Sequence, residues 1–131
     1  SLQYFSLVRQ LSSKFELTLS QTLILLSIPF DGVTISDLSE KLGIDISTMT
    51  RNIQRIEKKF LIKRLPNPDD KRSIKLFLSK RGITLANSLN LEISNSLDSI
   101  LEKYDLKISN QIKNNLENLS WDLYLYRQNL K

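Results

Sequence analysis

The sequence predicts a mostly helical fold with one small β-hairpin, an α+β class. Apolar residues recur every three or four positions through most of the 131-residue chain, which is the period of amphipathic helices. The period changes to two in the segments 61–65 and 74–78, as in half-buried strands. Prolines, Asn and Asp fill the segment 66–73 between them, which favours a hairpin loop.

The composition excludes several kinds of chemistry. Cysteine and histidine are absent, so disulfides, thiol nucleophiles and Ser-His-Asp triads are impossible, and zinc sites are disfavoured. Three scattered glycines are too few for a phosphate-cradling loop. The adjacent carboxylates Asp69 and Asp70 could bind a metal, but on a basic loop they suit a salt-linked turn better. We therefore predict no enzymatic activity, no cofactor and no metal site.

The distribution of charge indicates a polyanion as partner. The net charge is +5, but residues 51–81 hold eleven basic and three acidic side chains, a net +8, and the remainder carries −3. The longest apolar run is residues 23–26, far short of the roughly 20 residues of a membrane span. No secretory signal is visible at the N-terminus, so we expect a cytoplasmic protein with no membrane partner.

The first half of the chain contains four predicted helices. An apolar stripe predicts the first over residues 2–16, and Thr18 with Gln21 resembles a capping box that opens a second helix ending near Pro29. Thr34 with Asp37 opens a short third helix, and Gly43 suits its left-handed end. The fourth, over roughly residues 46–59, has an apolar stripe made of Ile46, Met49, Ile53, Ile56 and Phe60.

The third and fourth helices form a helix-turn-helix, in which Asp45 caps the fourth helix. One face of this fourth helix is expected to dock in the core, and its N-terminal amides favour a phosphate. The other face offers hydroxyls, Arg and Gln, which can contact phosphates or base edges. The candidate DNA-binding residues on this helix are Ser47, Thr48, Thr50, Arg51, Gln54 and Arg55.

The hairpin that follows is a wing, whose tip presents Lys71 and Arg72 to phosphate or to a narrow minor groove. Because Asp69 and Asp70 would repel DNA, we expect at least one of them to pair with Arg72 or a neighbouring amide and so to shape the loop. Ser79 then starts a helix of about 24 residues, whose first turn Gly82 weakens.

The last helix and the one before it carry apolar residues on more than one face, and a 131-residue monomer has little core left to cover them. This pattern predicts burial against a second chain, and the alternative is a compact monomeric bundle. The predicted organisation is a winged helix-turn-helix lobe over residues 18–82 and a helical dimerisation region over residues 1–17 and 83–131.

The segment from Thr34 to Gly82 resembles the MarR family of winged helix-turn-helix regulators, most specifically in its wing, PNPDDKRSIKLFLSKRG. In that family Asp-x-Arg precedes an alternating strand and a Leu-(Ser/Thr)-x-x-Gly helix start, and Asp70 and Arg72 match the Asp-x-Arg pair. Phe60 departs from the family, which usually has Gly after the recognition helix, so the geometry of that helix end is expected to differ.

The resemblance implies a homodimer that binds a pseudo-palindromic operator in double-stranded DNA and regulates transcription, as a repressor. Many relatives bind a small, often aromatic or phenolic effector that weakens their hold on DNA, and here such an effector would be unidentified. Absence of cysteine and histidine argues against thiol-oxidation and zinc-sensing branches. The alternative left open is a protein-interaction module built on the winged-helix scaffold, without DNA-binding activity.

Overall fold

The computed structural model describes residues 1–130 and divides into two compact units, residues 1–93 and 94–131. The helices are α1 (Leu2–Ser13), α2 (Leu19–Ser27), α3 (Ile35–Leu42), α4 (Ile46–Lys58), α5 (Lys80–Leu101) and α6 (Leu106–Asn129). The strands are β1 (Val33–Thr34), β2 (Ile62–Pro66) and β3 (Ile74–Leu78). The predicted class, mostly helical with a small hairpin wing, is confirmed.

Helices α1 and α2 are joined by a tight turn and a buried hydrogen bond. The capping box predicted at the start of α2 is present, with Gln21 N–H donating to Thr18 Oγ1 and Gln21 Oε1 accepting from Thr18 N–H. Helix α1 ends three residues earlier than predicted, and Glu16 takes a left-handed φ of 58° in the turn. Thr22 Oγ1 donates to Ser12 Oγ over 2.7 Å, a contact between fully buried side chains.

The helix-turn-helix is built by local signals that the sequence displays. Thr34 Oγ1 accepts from Asp37 N–H at the start of α3, and Gly43 ends the helix at a φ of 66°, the left-handed region that glycine enters without strain. Asp45 caps α4 through the N–H of Thr48. Together these caps set the short turn that holds α4 against the core.

The core of the first unit is a single apolar cluster, to which α4 gives Met49, Ile53 and Ile56, all fully buried. The predicted apolar stripe of α4 is wrong at both ends, because Ile46 is 56% exposed and Phe60 is 74% exposed. Ile46 occupies the first, outer turn, and Phe60 lies beyond the helix in a left-handed turn with φ 59°, so the helical periodicity no longer directs it inward.

The wing belongs to a three-stranded antiparallel sheet with strand order β1-β3-β2. The first predicted strand, 61–65, is shifted by one residue to Ile62–Pro66, and the register runs from Ile62 opposite Leu78 to Pro66 opposite Ile74. Pro66 is tolerated because β2 is an edge strand. The two-residue strand β1 was not predicted, since two residues carry no readable alternation.

The start of α5 is packed against the end of α4. Ser79 N–H donates to the carbonyl of Leu61 over 3.0 Å, and Ser79 Oγ donates to the carbonyl of Phe60 over 2.7 Å. A Cβ on Gly82 would lie 1.9 Å from the same Leu61 oxygen. Only glycine therefore allows the backbone at position 82 to approach Leu61 this closely. The sequence predicted only that Gly82 weakens the first turn of the helix.

The second unit contains the end of α5 and all of α6. Asp105 caps α6 by accepting from Ile108 N–H over 2.9 Å, and Lys113 lies 3.4 Å from Asp98. Ser109 is the only residue of α6 that is buried within the described chain. Large apolar side chains of α6 are about half exposed or more, among them Leu116, Leu119, Trp121, Leu123 and Tyr126. Over residues 1–130, no helix has the length and apolar character needed to cross a membrane.

Candidate nucleic-acid interface

Helix α4 presents the polar face that the sequence predicted. Opposite its buried stripe, Arg51, Gln54 and Arg55 are exposed. Within residues 1–130, the side chains of Gln54 and Arg55 make no hydrogen bond or ion pair, and the Arg51 side chain donates only to Thr48 Oγ1, over 3.4 Å. These long donor-bearing side chains are therefore free to meet an external partner.

The hydroxyls at the start of α4 are already hydrogen-bonded. Ser47 Oγ donates to Asp45 Oδ1 and Thr48 Oγ1 donates to Asp45 Oδ2, each over 2.6 Å. The N–H of Thr48 donates to Asp45 Oδ1 over 2.9 Å. The Asp45 carboxylate thus fills the place where the sequence suggested a phosphate. Thr50 Oγ1 donates to the carbonyl of Ile46 over 2.8 Å, so it offers a partner only its methyl group and oxygen lone pairs.

Hydrogen bonds from Ser47, and next from Thr48, hold the pKa of Asp45 well below its usual value. These bonds favour the charged form of a carboxyl that lies in an exposed position. Asp45 therefore stays ionised under all ordinary conditions and places a fixed negative charge at the N-terminal end of α4, where the helix dipole stabilises it.

The wing loop is shaped by its acidic and amide side chains. Asp70 Oδ1 accepts from the backbone N–H of Arg72 over 2.9 Å. Of the two pairings that the sequence predicted, this is the one with a neighbouring amide. Lys71 and Arg72 are exposed and form no ion pair within residues 1–130, so their cations remain available at the tip. Asp69 makes no ion pair there either, but its N–H donates to Asn67 Oδ1 over 3.0 Å.

Sequence reasoning missed Asn67 as an organiser of the wing. Asn67 is 9% exposed, and its N–H and Nδ2 donate to the carbonyl and hydroxyl of Ser73 over 3.1 and 2.9 Å. The readable signal was the Asn itself, because Asn side chains in loops bond the backbone N–H two residues on, as Asn67 Oδ1 does with Asp69.

The structure divides the basic segment into several places. Arg64 donates to Glu57 Oε1 through Nε and Nη2, over 2.8 and 2.6 Å, and so joins β2 to α4. Lys59 donates to the carbonyl of Glu16. Lys58, Lys59 and Arg81 also line a cavity of about 570 Å³. The cations of residues 51–81 are therefore not one patch: some lie on α4 and the wing tip, one is paired within the fold, and some line this cavity.

Comparison with known proteins places this geometry in one family. The model of the MarR family matches residues 17–74. The chain is 32% identical to the multiple antibiotic resistance protein MarR of Salmonella typhimurium over 92 residues, 70% of this chain and 64% of that protein. It thus spans slightly less than two thirds of this relative. It is 28% identical to the HTH-type transcriptional regulator SarZ of Staphylococcus haemolyticus, over 80% of this chain and 68% of SarZ.

Solved structures show the same fold. Wild-type MarR from E. coli superposes with a TM-score of 0.79 at 22% identity, covering 90% of this chain and 88% of that chain. A mutant MarR from E. coli, solved in complex with operator DNA, superposes with a TM-score of 0.69 at 22% identity, covering 90% and 86%. The resemblance to the MarR family found in the sequence is confirmed by the family model and the relatives, and the chain has the winged-helix fold of the solved MarR structures.

Proposed function

We propose that this protein is a homodimeric regulator of transcription that binds a pseudo-palindromic site in double-stranded DNA and acts as a repressor. The observation that carries the proposal is the division of α4 into two faces. Met49, Ile53 and Ile56 are fully buried, while Gln54 and Arg55 on the other face are exposed and unpaired within residues 1–130. A helix anchored in this way can lie in the major groove without losing its own packing.

The side chains on the exposed face suit base and phosphate contacts. Arginine can pair with guanine O6 and N7, and glutamine with adenine N6 and N7. We assign Arg51 and Arg55 to base or phosphate contacts and Gln54 to a base edge. Ser47, Thr48 and Thr50 lie beside them at the N-terminal half of the helix. Lys71 and Arg72 on the wing are assigned to phosphate or the minor groove, with Asp70 shaping the loop.

The dimer is supported by apolar surface that the described chain leaves uncovered. Leu2, Leu91 and Trp121, on α1, α5 and α6, are 84%, 61% and 59% exposed. Exposed patches of this kind mark interfaces between protein chains. We propose that residues 1–17 and 83–131 form the dimerisation region and residues 18–82 the DNA-binding lobe. A small-molecule effector that relieves repression fits the family pattern and is part of the proposal.

Selection of duplexes from a random pool by the purified protein tests this function. A two-fold symmetric dimer should recover an inverted repeat whose half-sites lie about one helical turn, roughly 34 Å, apart. An Arg51→Ala, Arg55→Ala double variant with intact folding should recover none. A pool that shows no enrichment with the original protein would refute DNA recognition and leave the protein-interaction module as the remaining function for this scaffold.

A further inference from the structure

The hydroxyls on the recognition helix have a fixed hydrogen-bond polarity. An ionised carboxylate only accepts hydrogen bonds, so a hydroxyl in contact with it must use its own hydrogen as the donor. Ser47 Oγ and Thr48 Oγ1 both lie 2.6 Å from Asp45 oxygens, in the range of strong charge-assisted O–H···O⁻ bonds. Each hydroxyl hydrogen is therefore directed at Asp45, and only oxygen lone pairs remain for an external partner.

The two hydroxyls differ in the number of oxygen lone pairs that remain available to an external partner. Thr48 Oγ1 also accepts from Arg51 Nη2 over 3.4 Å, so one lone pair remains, on a half-buried side chain. Ser47 Oγ is exposed and keeps both lone pairs. The same chain of contacts, from Asp45 through Thr48 to Arg51, holds the Arg51 guanidinium beside the start of the helix.

We propose that Asp45 is a specificity-determining residue: it makes Ser47 and Thr48 obligate acceptors, so that this part of the recognition helix selects bases that present an exocyclic amino group. In the major groove these are adenine through N6 and cytosine through N4. Serine and threonine ordinarily accept or donate and read any base, so their discrimination here comes from the neighbouring carboxylate. This inference rests on the proposed DNA-binding function.

The same arrangement disfavours phosphate at this end of α4. A phosphate oxygen needs a donor, and the two hydroxyls and the Thr48 N–H have already donated to Asp45. The negative charge of Asp45 also repels a phosphate that approaches without matched base contacts. Asp45 therefore lowers affinity for non-specific DNA while it sharpens the choice of base.

The test uses the duplex recovered from the random pool and removes one amino group at a time. Each adenine is replaced by purine, and each cytosine by 2-pyrimidinone, which lack the exocyclic amino group. For the original protein, deletion at one or two positions per half-site should weaken binding about fivefold. Ser47→Ala and Thr48→Val should each abolish the sensitivity at the position that its hydroxyl contacts.

Asp45→Gly is the decisive variant, because glycine is accepted at a helix N-cap and frees both hydroxyls. It should bind the parent duplex and the duplexes that lack the amino groups contacted by Ser47 and Thr48 within about twofold of one another, and it should bind random-sequence DNA more tightly. An adenine read by Gln54 should keep its sensitivity in this variant. Asp105→Gly, the same change at the N-cap of α6, is the matched control and should keep full sensitivity. Asp45→Asn, which retains the cap, should lose discrimination only at the Thr48-dependent position, since its amide can donate to Thr48 Oγ1.

The outcomes are distinguishable. Failure to recover any duplex with the original protein would refute the proposed function and this inference with it. Tight duplex binding with no amino-group sensitivity, or equal sensitivity in the original protein and in Asp45→Gly, would refute only the inference. Sensitivity that disappears in Asp45→Gly but persists in both Ser47→Ala and Thr48→Val would assign the base contact to the carboxylate itself, which also contradicts the role proposed for the hydroxyls.

Discussion

At the scale of single residues, Phe60, just past the end of α4, occupies a backbone conformation that favours glycine. Phe60 takes a φ of 59°, a conformation in which a Cβ is strained and glycine is not. Its ring is 74% exposed and contributes little packing. Phe60, which stands where the MarR family usually has Gly, therefore keeps a backbone conformation typical of glycine, and this conformation is strained.

Phe60→Gly is accordingly expected to stabilise the fold by about 0.5–1 kcal/mol, because relief of the left-handed strain exceeds the added chain entropy of glycine. Urea unfolding of the two proteins measures the difference. Lys58→Gly, two residues earlier within α4, is the control and should destabilise, since its backbone is helical. A loss of stability in Phe60→Gly would show that the ring contributes more than the strain costs.

Gly82→Ala is expected to destabilise by about 2–3 kcal/mol, because a Cβ would lie 1.9 Å from the carbonyl oxygen of Leu61. The turn between α4 and β2 and the start of α5 would have to move apart. Asn87→Ala, at an exposed position of the same helix, should be neutral or stabilising. Thermal unfolding separates the two, and equal melting temperatures for the Gly82 variant and the parent would contradict the close approach.

At the scale of elements, the recognition helix and the wing are expected to contribute differently to binding. The wing tip carries cations on a loop closed by hydrogen bonds of Asn67 and Asp70, which suits backbone phosphate contacts that position the protein without reading sequence. Helix α4 carries Gln54, whose amide can distinguish bases. Binding measured on a panel of operator variants distinguishes these two roles.

Arg72→Ala should weaken binding to every operator variant by a similar factor and make the slope of log K against log salt less steep by about two, because the dimer loses one phosphate contact in each subunit. Gln54→Ala should change the preferred base at one position per half-site and leave the slope nearly unchanged. Lys103→Ala, which removes an exposed cation outside both elements, should do neither. Equal losses across all variants for Gln54→Ala would demote that side chain to a positioning contact.

The elements also show what could be read from the sequence and what could not. Caps such as Thr18, Thr34 and Asp45 act on amides three residues away, so their positions predict helix starts well. The contact between Ser12 and Thr22 and the partnership of Asn67 with Ser73 depend on segments brought together by folding, and no local pattern announces them. The end of an apolar stripe is equally unreadable, as the exposure of Ile46 shows.

At the scale of the whole molecule, the exposed apolar side chains of α6 predict that the chain is stable only when paired. Leu119→Glu should convert a dimer, of twice the 15.2 kDa chain mass, into monomers or unfolded chain, because burying the carboxylate in an apolar interface is costly. Leu65→Glu, at a similarly exposed leucine of β2, should remain dimeric. Light scattering after gel filtration gives both masses. A monomeric parent protein would contradict the dimer.

The net charge of the molecule does not show which of its cations can bind DNA. A net +5 for the chain is a weak indication of function, whereas the structure shows which cations are paired within the fold, such as Arg64, and which have no side-chain partner within residues 1–130, such as Arg55 and Arg72. Only free cations can release counterions from DNA, so the number of phosphates neutralised follows from the interface and not from the net charge.

Binding of the recovered duplex as a function of salt concentration shows whether the exposed cations of α4 and the wing neutralise DNA phosphates. A dimer that neutralises six to ten phosphates should lose affinity with a slope of log K against log salt of about −5 to −9. The Arg51→Ala, Arg55→Ala double variant should lower the affinity and flatten this slope. A flat response in the original protein, or no duplex affinity at moderate salt, would contradict the assignment of α4 and the wing to DNA.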